Sequence, residues 1–119
     1  MVVPGFVLRN AAGLAAELVA YGARLTELFL PDAQGRLADV VLGFDTLAQY
    51  QASDAYMGAT CGRYGGRIRN GRFPREGRLL QLSLKEGSQH AHGGQLGCDR
   101  TVTHADTDAA SNQGGLTRP

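Results

Sequence analysis

Residues 88–100, SQHAHGGQLGCDR, bring together several kinds of chemically capable group in one short stretch. The stretch holds two histidines, three glycines, a cysteine, an aspartate and an arginine. Histidine and cysteine bind metals, glycine-rich backbone binds phosphate, and arginine with histidine binds uncharged polar ligands. The sequence therefore leaves three kinds of site to compare: a metal centre, a phosphate loop and a pocket for a polar molecule such as a sugar.

A metal centre would draw on His90, His92, Cys98 and His104, because imidazole and thiolate are common zinc ligands. Their spacing, H-x-H-x5-C-x5-H, matches none of the common structural zinc patterns. Glycines would allow these ligands to converge, but the pattern itself does not indicate zinc. We therefore predict no metal site.

A second segment, residues 62–78, contains six arginines and a single glutamate. Its glycine-rich start, GRYGGRIRNG, lacks the G-K-[ST] ending of a P-loop and the G-x-G-x-x-G fingerprint, so it is a weak phosphate signal. Arginines interleaved with Tyr64 and Phe73 also fit a nucleic-acid surface, which stays an alternative. Because the net charge of the whole chain is only +1, we predict no nucleic-acid or membrane partner.

The third interpretation places Arg67 and His92 on one polar ligand. Arginine offers a planar fork of donors, and histidine can donate or accept a hydrogen bond. Gly93 and Gly94 would let the backbone pass close beneath that ligand. A sugar, with its array of hydroxyl groups, suits such a pocket, although these residues alone do not identify it.

The elements that position these residues are mostly short. The 119 residues predict one domain, and 17 glycines favour turns over long helices. Residues 6–10 and the apolar run 38–44 predict strands, the second of them buried, and residues 45–51 predict a short helix capped by Asp45. Residues 73–85 predict a hairpin that turns at Glu76-Gly77.

Residues 14–30 are ambiguous at this level. Leucines at helical spacing favour a helix, whereas Gly22 favours a break between two strands, 14–20 and 24–30. Residues 104–119 have almost no large apolar side chains and predict an irregular or disordered tail. The opening residues lack the pattern of a signal peptide, and only two cysteines are present, so we expect a cytoplasmic protein with reduced thiols.

Three stretches in order resemble the N-terminal part of the aldose 1-epimerase, or galactose mutarotase, family. The first is VAYGARLTELFLPDAQGRLADVVLGFDTLAQY at 19–50. The second is GATCGRYGGRI at 58–68, similar to the family's G-R-x-x-N-R-I segment. The third is HGGQLGCDR at 92–100, similar to its H-G-G-x-x-G-F-D segment. The resemblance covers about residues 6–103.

The resemblance implies an all-β fold: part of an antiparallel β-sandwich with one short helix. It resolves residues 14–30 into two strands that bend at Tyr21-Gly22. It divides the chain into a sandwich portion, 1–103, and the tail, 104–119. Strands of a partial sandwich would lack partners, so we expect exposed sheet edges and self-association through them.

By position, Arg67 and His92 correspond to two sugar-contacting residues of the family, so the resemblance assigns them to substrate binding. Four features depart from its pattern, one of them the sequence RTVT at 100–103, where the family usually has a tryptophan shortly after G-F-D. Gly66 stands where the family has asparagine, Ala91 replaces a leucine, and Cys98 replaces a phenylalanine, which makes packing the expected role of that thiol.

The family interconverts the α and β anomers of hexoses and uses no cofactor. Its reaction needs a base for the anomeric hydroxyl and an acid for the ring oxygen. The family's glutamate base and principal histidine acid lie beyond the matched region, which leaves His92 as the one candidate contributor to catalysis. We therefore expect an incomplete aldose 1-epimerase-like chain whose partner is a hexose. The alternatives are a non-catalytic carbohydrate-binding or regulatory remnant and an arginine-rich nucleic-acid-binding module.

Overall fold

The computed structural model describes residues 2–108 and 113–117, and the regular elements in them are almost all antiparallel strands joined by turns and loops. Four strands form a meander sheet in chain order: β1 (Gly5–Arg9), β2 (Ala15–Val19), β3 (Arg24–Pro31) and β4 (Leu37–Asp39). Three two-stranded ribbons pair β5 (Arg67–Arg69) with β8 (Gln89–Ala91), β6 (Arg72–Arg75) with β7 (Arg78–Gln81), and β9 (His104–Asp108) with β10 (Gln113–Thr117). The predicted all-β class with one short helix is confirmed.

The ambiguous residues 14–30 form strands β2 and β3, as the resemblance implies. Between the strands, Gly22 and Ala23 have φ angles of 71° and 44°. A right-handed helix cannot contain such left-handed residues, so the turn forces the chain back on itself. Tertiary pairing therefore overrides a local sequence that favours a helix.

The predicted buried strand at 38–44 is wrong in both length and burial. Strand β4 ends at Asp39, and Val40 and Leu42 are exposed. The carboxylate of Asp39 accepts hydrogen bonds from the backbone N–H groups of Leu28 (2.9 Å) and Val41 (3.0 Å). The Asp39 side chain thus replaces a backbone carbonyl as the acceptor for Leu28 N–H. One further backbone hydrogen bond follows, from the N–H of Val40 to the carbonyl of Leu28 at 2.9 Å, and the strand ends there despite the β-branched run.

The short helix α1 spans Leu47–Ala52, and its N-cap is Thr46 rather than the predicted Asp45. The Thr46 hydroxyl accepts from the backbone N–H of Gln49, and the Gln49 side chain accepts from the backbone N–H of Thr46, which makes a capping box. Within the described ranges, no helix is long and apolar enough to cross a membrane.

The predicted hairpin is confirmed, with a shorter second strand. Arg75 pairs with Arg78 across the two-residue turn Glu76-Gly77, whose φ angles are 51° and 74°. Both central residues are left-handed, as a type I′ turn requires. Strand β7 ends at Gln81, four residues before the predicted end.

The predicted irregular tail contains paired backbone. Strands β9 and β10 run antiparallel, with His104 opposite Thr117. Residues 109–112 and 118–119 lie outside the described residues, and the domain boundary at residue 103 stays a prediction. The expectation of an irregular segment is wrong for the paired residues, because backbone hydrogen bonds can form a ribbon without large apolar side chains.

The apolar core is small. Its buried members are Ala15, Ala20, Tyr21, Ala23, Tyr50 and Ala91. None of the large side chains in the described residues is completely removed from solvent. Polar contacts must therefore hold together segments that a larger apolar core would otherwise join.

The principal polar contact is made by Arg24, which is only 3% exposed. Its guanidinium donates to the backbone carbonyls of Met57 (2.8 Å) and Asp99 (3.1 Å), which lie 33 and 75 residues away in sequence. The same group lies 5.5 Å from the ring centres of both Tyr21 and Tyr50. One side chain thus ties the meander sheet to two distant loops.

We predict that Arg24→Lys lowers the free energy of unfolding by about 2–4 kcal/mol, because a single ammonium cannot reach both carbonyls and one buried oxygen loses its donor. Urea unfolding followed by circular dichroism measures this. Arg36→Lys, at an exposed ion pair with Asp32, is the matched control and should change stability by less than about 0.5 kcal/mol. Equal effects of the two substitutions would contradict the role given to Arg24.

Several large apolar side chains in strands and loops are exposed to solvent, among them Val40, Leu42, Leu79 and Leu96. Leu79 belongs to β7, whose only strand partner in the described residues is β6. An open backbone edge with an apolar side chain on it is a surface on which a second chain can pair.

We predict that Leu79→Lys weakens self-association at least about tenfold, because one leucine removed from water is worth about 1.5–3 kcal/mol. Sedimentation velocity over a concentration series measures the change. Gln51→Lys adds the same charge on an exposed helix position and should leave association as it is. A wild-type chain that stays monomeric at all concentrations would refute the expectation.

Candidate functional site

The pairing of β5 with β8 brings the arginine segment against the histidine segment. Arg67 lies opposite Ala91 in the register, so His92 follows directly beside it. The backbone N–H of His92 donates to the carbonyl of Gly66 at 2.9 Å, which extends the pairing by one step. Arg67 and His92 consequently line one cavity of about 680 Å³.

Gly93 fixes how closely the two segments approach. Its φ is 92°, and a Cβ added there would lie 1.7 Å from the carbonyl oxygen of Gly62. Only glycine allows this contact between the two backbones. The backbone N–H of Cys98 donates to the same oxygen at 3.0 Å, and its thiol lies against Gly62. Cys98 is a free, half-buried packing residue in this arrangement.

Glu86 is a cavity residue that sequence reasoning missed. Its carboxylate accepts two hydrogen bonds from Arg67, one from Nε and one from Nη2 at 2.9 Å. These hydrogen bonds, and then the positive charge of Arg67, lower the pKa of Glu86, while partial desolvation opposes them. The same contact raises the pKa of Arg67. This bidentate contact joins two largely exposed side chains and orients the guanidinium along the cavity wall.

The remaining charged residues at the cavity are Asp54, Lys85 and Arg100. Arg100, in a 3₁₀ turn at Cys98–Arg100, forms an ion pair with Asp54. The Lys85 ammonium lies 4.7 Å from the ring centre of Tyr56 and has no hydrogen-bond partner among the described residues. Most of the charge lining the cavity is therefore already paired before a ligand arrives.

Tyr56 and His92 are in contact, with ring centres 4.8 Å apart. Their φ angles are 55° and 46°, so both are left-handed without being glycine. Such residues cost of order 1 kcal/mol or more each and cluster at functional sites. No local sequence signal marks Tyr56, because only the folding of the loop after α1 brings it to His92.

His90 faces a different cavity from His92. It is buried, contacts the carbonyl of Ser83 and lines a more apolar cavity of about 720 Å³ beside Ile68 and Phe73. The two histidines of H-x-H therefore do not converge. In the described part of the chain, no group of three or more His, Cys, Asp or Glu side chains could hold a metal ion.

The basic cluster is spread over more than one surface. Arg67 lines both the cavity of His92 and the more apolar cavity of His90, and Arg63 and Arg69 line the second of these. Arg72, Arg75 and Arg78 lie exposed along the β6–β7 hairpin. Arg72 donates to Gln81 at 2.6 Å across that hairpin.

Comparison with known proteins gives a consistent result. The family model described as aldose 1-epimerase matches residues 4–112. Galactose mutarotase of Bos taurus is 38% identical over 89 residues, which are 75% of this chain and 26% of that protein. Aldose 1-epimerase of Escherichia coli (strain K12) is 37% identical over 93 residues, or 78% of this chain and 27% of that one.

Solved structures similar to this chain also belong to aldose epimerases or their homologues. The GalM/aldose epimerase homologue from C. elegans has a TM-score of 0.84 at 31% identity, covering 91% of this chain and 33% of that chain. Galactose 1-epimerase from Lactobacillus acidophilus NCFM has a TM-score of 0.76 at 30% identity, covering 90% and 30%. The chain spans about a quarter of the length of the curated relatives it matches.

We predict that the Glu86 carboxyl titrates below its ordinary pKa of 4.5 and that Arg67→Gln moves its pKa back up. The pair's contribution to folding is present above the ordinary pKa and is lost as the pH falls through the lowered one. A ¹³C NMR titration of the side-chain carboxyl measures this. Arg72→Gln is the matched control and should leave the titration unchanged; a Glu86 pKa at or above 4.5 in the wild type would contradict the ion pair.

Proposed function

Because this chain belongs to the aldose 1-epimerase family, we propose that the cavity shared by Arg67 and His92 binds a free hexose. The observation that carries this proposal is the β5–β8 pairing, which sets both side chains on one cavity. A hexose is uncharged and covered with hydroxyl groups, and the cavity offers the donor Arg67, His92 and the carboxylate of Glu86. The volume of about 680 Å³ leaves room for a monosaccharide.

The reaction of the proposed site is interconversion of the α and β anomers. A base removes the proton of the anomeric hydroxyl while an acid protonates the ring oxygen, the ring opens, and it closes again on the other face. In this scheme Arg67 and His92 bind and orient the sugar. Glu86 is a weak candidate for the base, because Arg67 lowers its pKa and already occupies both of its oxygens.

The base and principal acid implied by the family resemblance have no counterpart in the matched residues. We therefore propose that the 119 residues bind the sugar but do not by themselves accelerate anomer exchange appreciably. Loss of a general acid or base costs about 10²–10⁴ in rate for each group. A second candidate, a non-catalytic carbohydrate-binding protein, has the same support from the cavity and differs only in needing no further catalytic groups.

We expect D-galactose or D-glucose to perturb the NMR signals of His92, and Arg67→Ala to weaken binding by about 10–100-fold, as loss of a charged hydrogen-bond donor should. Arg72→Ala, on the exposed hairpin, is the matched control and should bind normally. Polarimetry of fresh α-D-glucose with micromolar protein should show the rate of buffer alone.

Two results would overturn parts of this proposal. Absence of saturable hexose binding would refute the sugar site, and steeply salt-dependent binding of an oligonucleotide would then favour the nucleic-acid alternative. Strong acceleration of mutarotation that His92→Ala abolishes would show that the catalytic groups are present in these residues.

A further inference from the structure

His90 and His92 lie two residues apart, yet the Nδ1 of one faces a hydrogen-bond acceptor and the Nδ1 of the other faces a donor. The Nδ1 of His90 lies 2.8 Å from the carbonyl oxygen of Ser83. A carbonyl oxygen only accepts hydrogen bonds, so Nδ1 of His90 must carry a proton. In the neutral ring, Nε2 of His90 is then the bare nitrogen.

His92 has the reverse arrangement. The backbone N–H of Gly66 donates to its Nδ1, with a distance of 3.2 Å between the two nitrogens. An amide N–H only donates, so Nδ1 of His92 must be bare, and the neutral ring carries its proton on Nε2. No residue in the described part of the chain forms a hydrogen bond with that Nε2, and His92 lines the cavity proposed for the sugar.

The backbone explains why the two rings differ. His90 lies within β8 opposite Ile68, whereas His92 lies beyond the end of β8 at a φ of 46°. There the ring turns back toward Gly66, and its Nδ1 accepts a hydrogen bond from the Gly66 N–H. In a continued ladder this N–H would donate to a backbone carbonyl instead. Gly66 has a φ of 99°, a conformation that favours glycine and directs this N–H at the ring.

We propose that Gly66 is a positioning residue which holds His92 in the Nε2–H form, so that His92 acts in the cavity only as a hydrogen-bond donor. Together with Arg67, which also only donates, His92 then requires an oxygen lone pair on the ligand. The ligand atom that faces His92 is therefore an oxygen able to accept a hydrogen bond, as a sugar hydroxyl is, and a protonated amino group at this position is rejected.

The ligand class rests on the proposed function, whereas the protonation of the rings does not. The first test is a two-bond ¹⁵N–¹H correlation spectrum of ¹⁵N-histidine-labelled protein at a pH of about 8, where free imidazole is neutral. We expect the Nε2–H pattern for His92 and the Nδ1–H pattern for His90, which serves as an internal reference. A proton on Nδ1 of His92 would overturn the proposal without any variant being made.

The second test uses two substitutions that each keep one half of the imidazole. His92→Asn places an amide oxygen near the position of Nδ1, so it should keep the Gly66 N–H protected from hydrogen exchange yet bind hexose at least about tenfold more weakly. His92→Gln places an amide N–H near the position of Nε2, so it should lose that protection and keep hexose affinity closer to the wild type. The opposite pairing of outcomes would contradict the assignment of donor and acceptor.

A third measurement addresses the ligand class. D-Galactose should bind, and the amino sugar whose ammonium replaces the contacted hydroxyl should bind at least about tenfold more weakly. Equal affinity for all singly aminated galactoses would refute the donor-only site. If no hexose binds at all, the proposed function fails, while the spectrum of the two histidines still decides the positioning role of Gly66.

Discussion

A single buried guanidinium connects segments that the small apolar core does not join. Arg24 joins the carbonyls of Met57 and Asp99, which belong to the loops on either side of the β5–β8 ribbon. Backbone hydrogen bonds next to it repeat the connection: Leu25 N–H donates to Gly58, and Gly22 N–H donates to Thr101. Because the buried apolar residues are few and mostly alanines, these polar links fix the relative positions of segments far apart in sequence.

The cavity depends on this arrangement more than on its own strands. The loop held at Met57 carries Tyr56, and the turn held at Asp99 carries Arg100. The β5–β8 ribbon has only three residues in each strand, too few to be stable alone. The shape of the cavity between these parts therefore depends on the contacts by which Arg24 holds the two loops against the sheet.

The comparison between sequence and structure shows which features are local. The turn at Glu76-Gly77 and the two candidate sugar residues, Arg67 and His92, could be identified because short motifs or the order of three stretches specify them. Tyr56 and Glu86 could not, because each reaches the cavity from a separate loop and no spacing links them. The strand at 38–44 was wrong because one carboxylate, Asp39, ends the ladder inside an apolar run. The helix start was one residue off, although Gln49, three residues after Thr46, completes the capping-box pattern that marks it.

The hairpin β6–β7 lies in the chain between the two strands that build the cavity. Its turn, Glu76-Gly77, is exposed, and the ribbon β5–β8 closes the loop from which the hairpin extends. Lengthening a loop adds only about 0.6 kcal/mol of closure entropy for each doubling of its length. Chain inserted at this turn would therefore extend into solvent with little effect on the distance between Arg67 and His92, which makes the tip of the hairpin the natural place to attach a probe, a tag or a second domain.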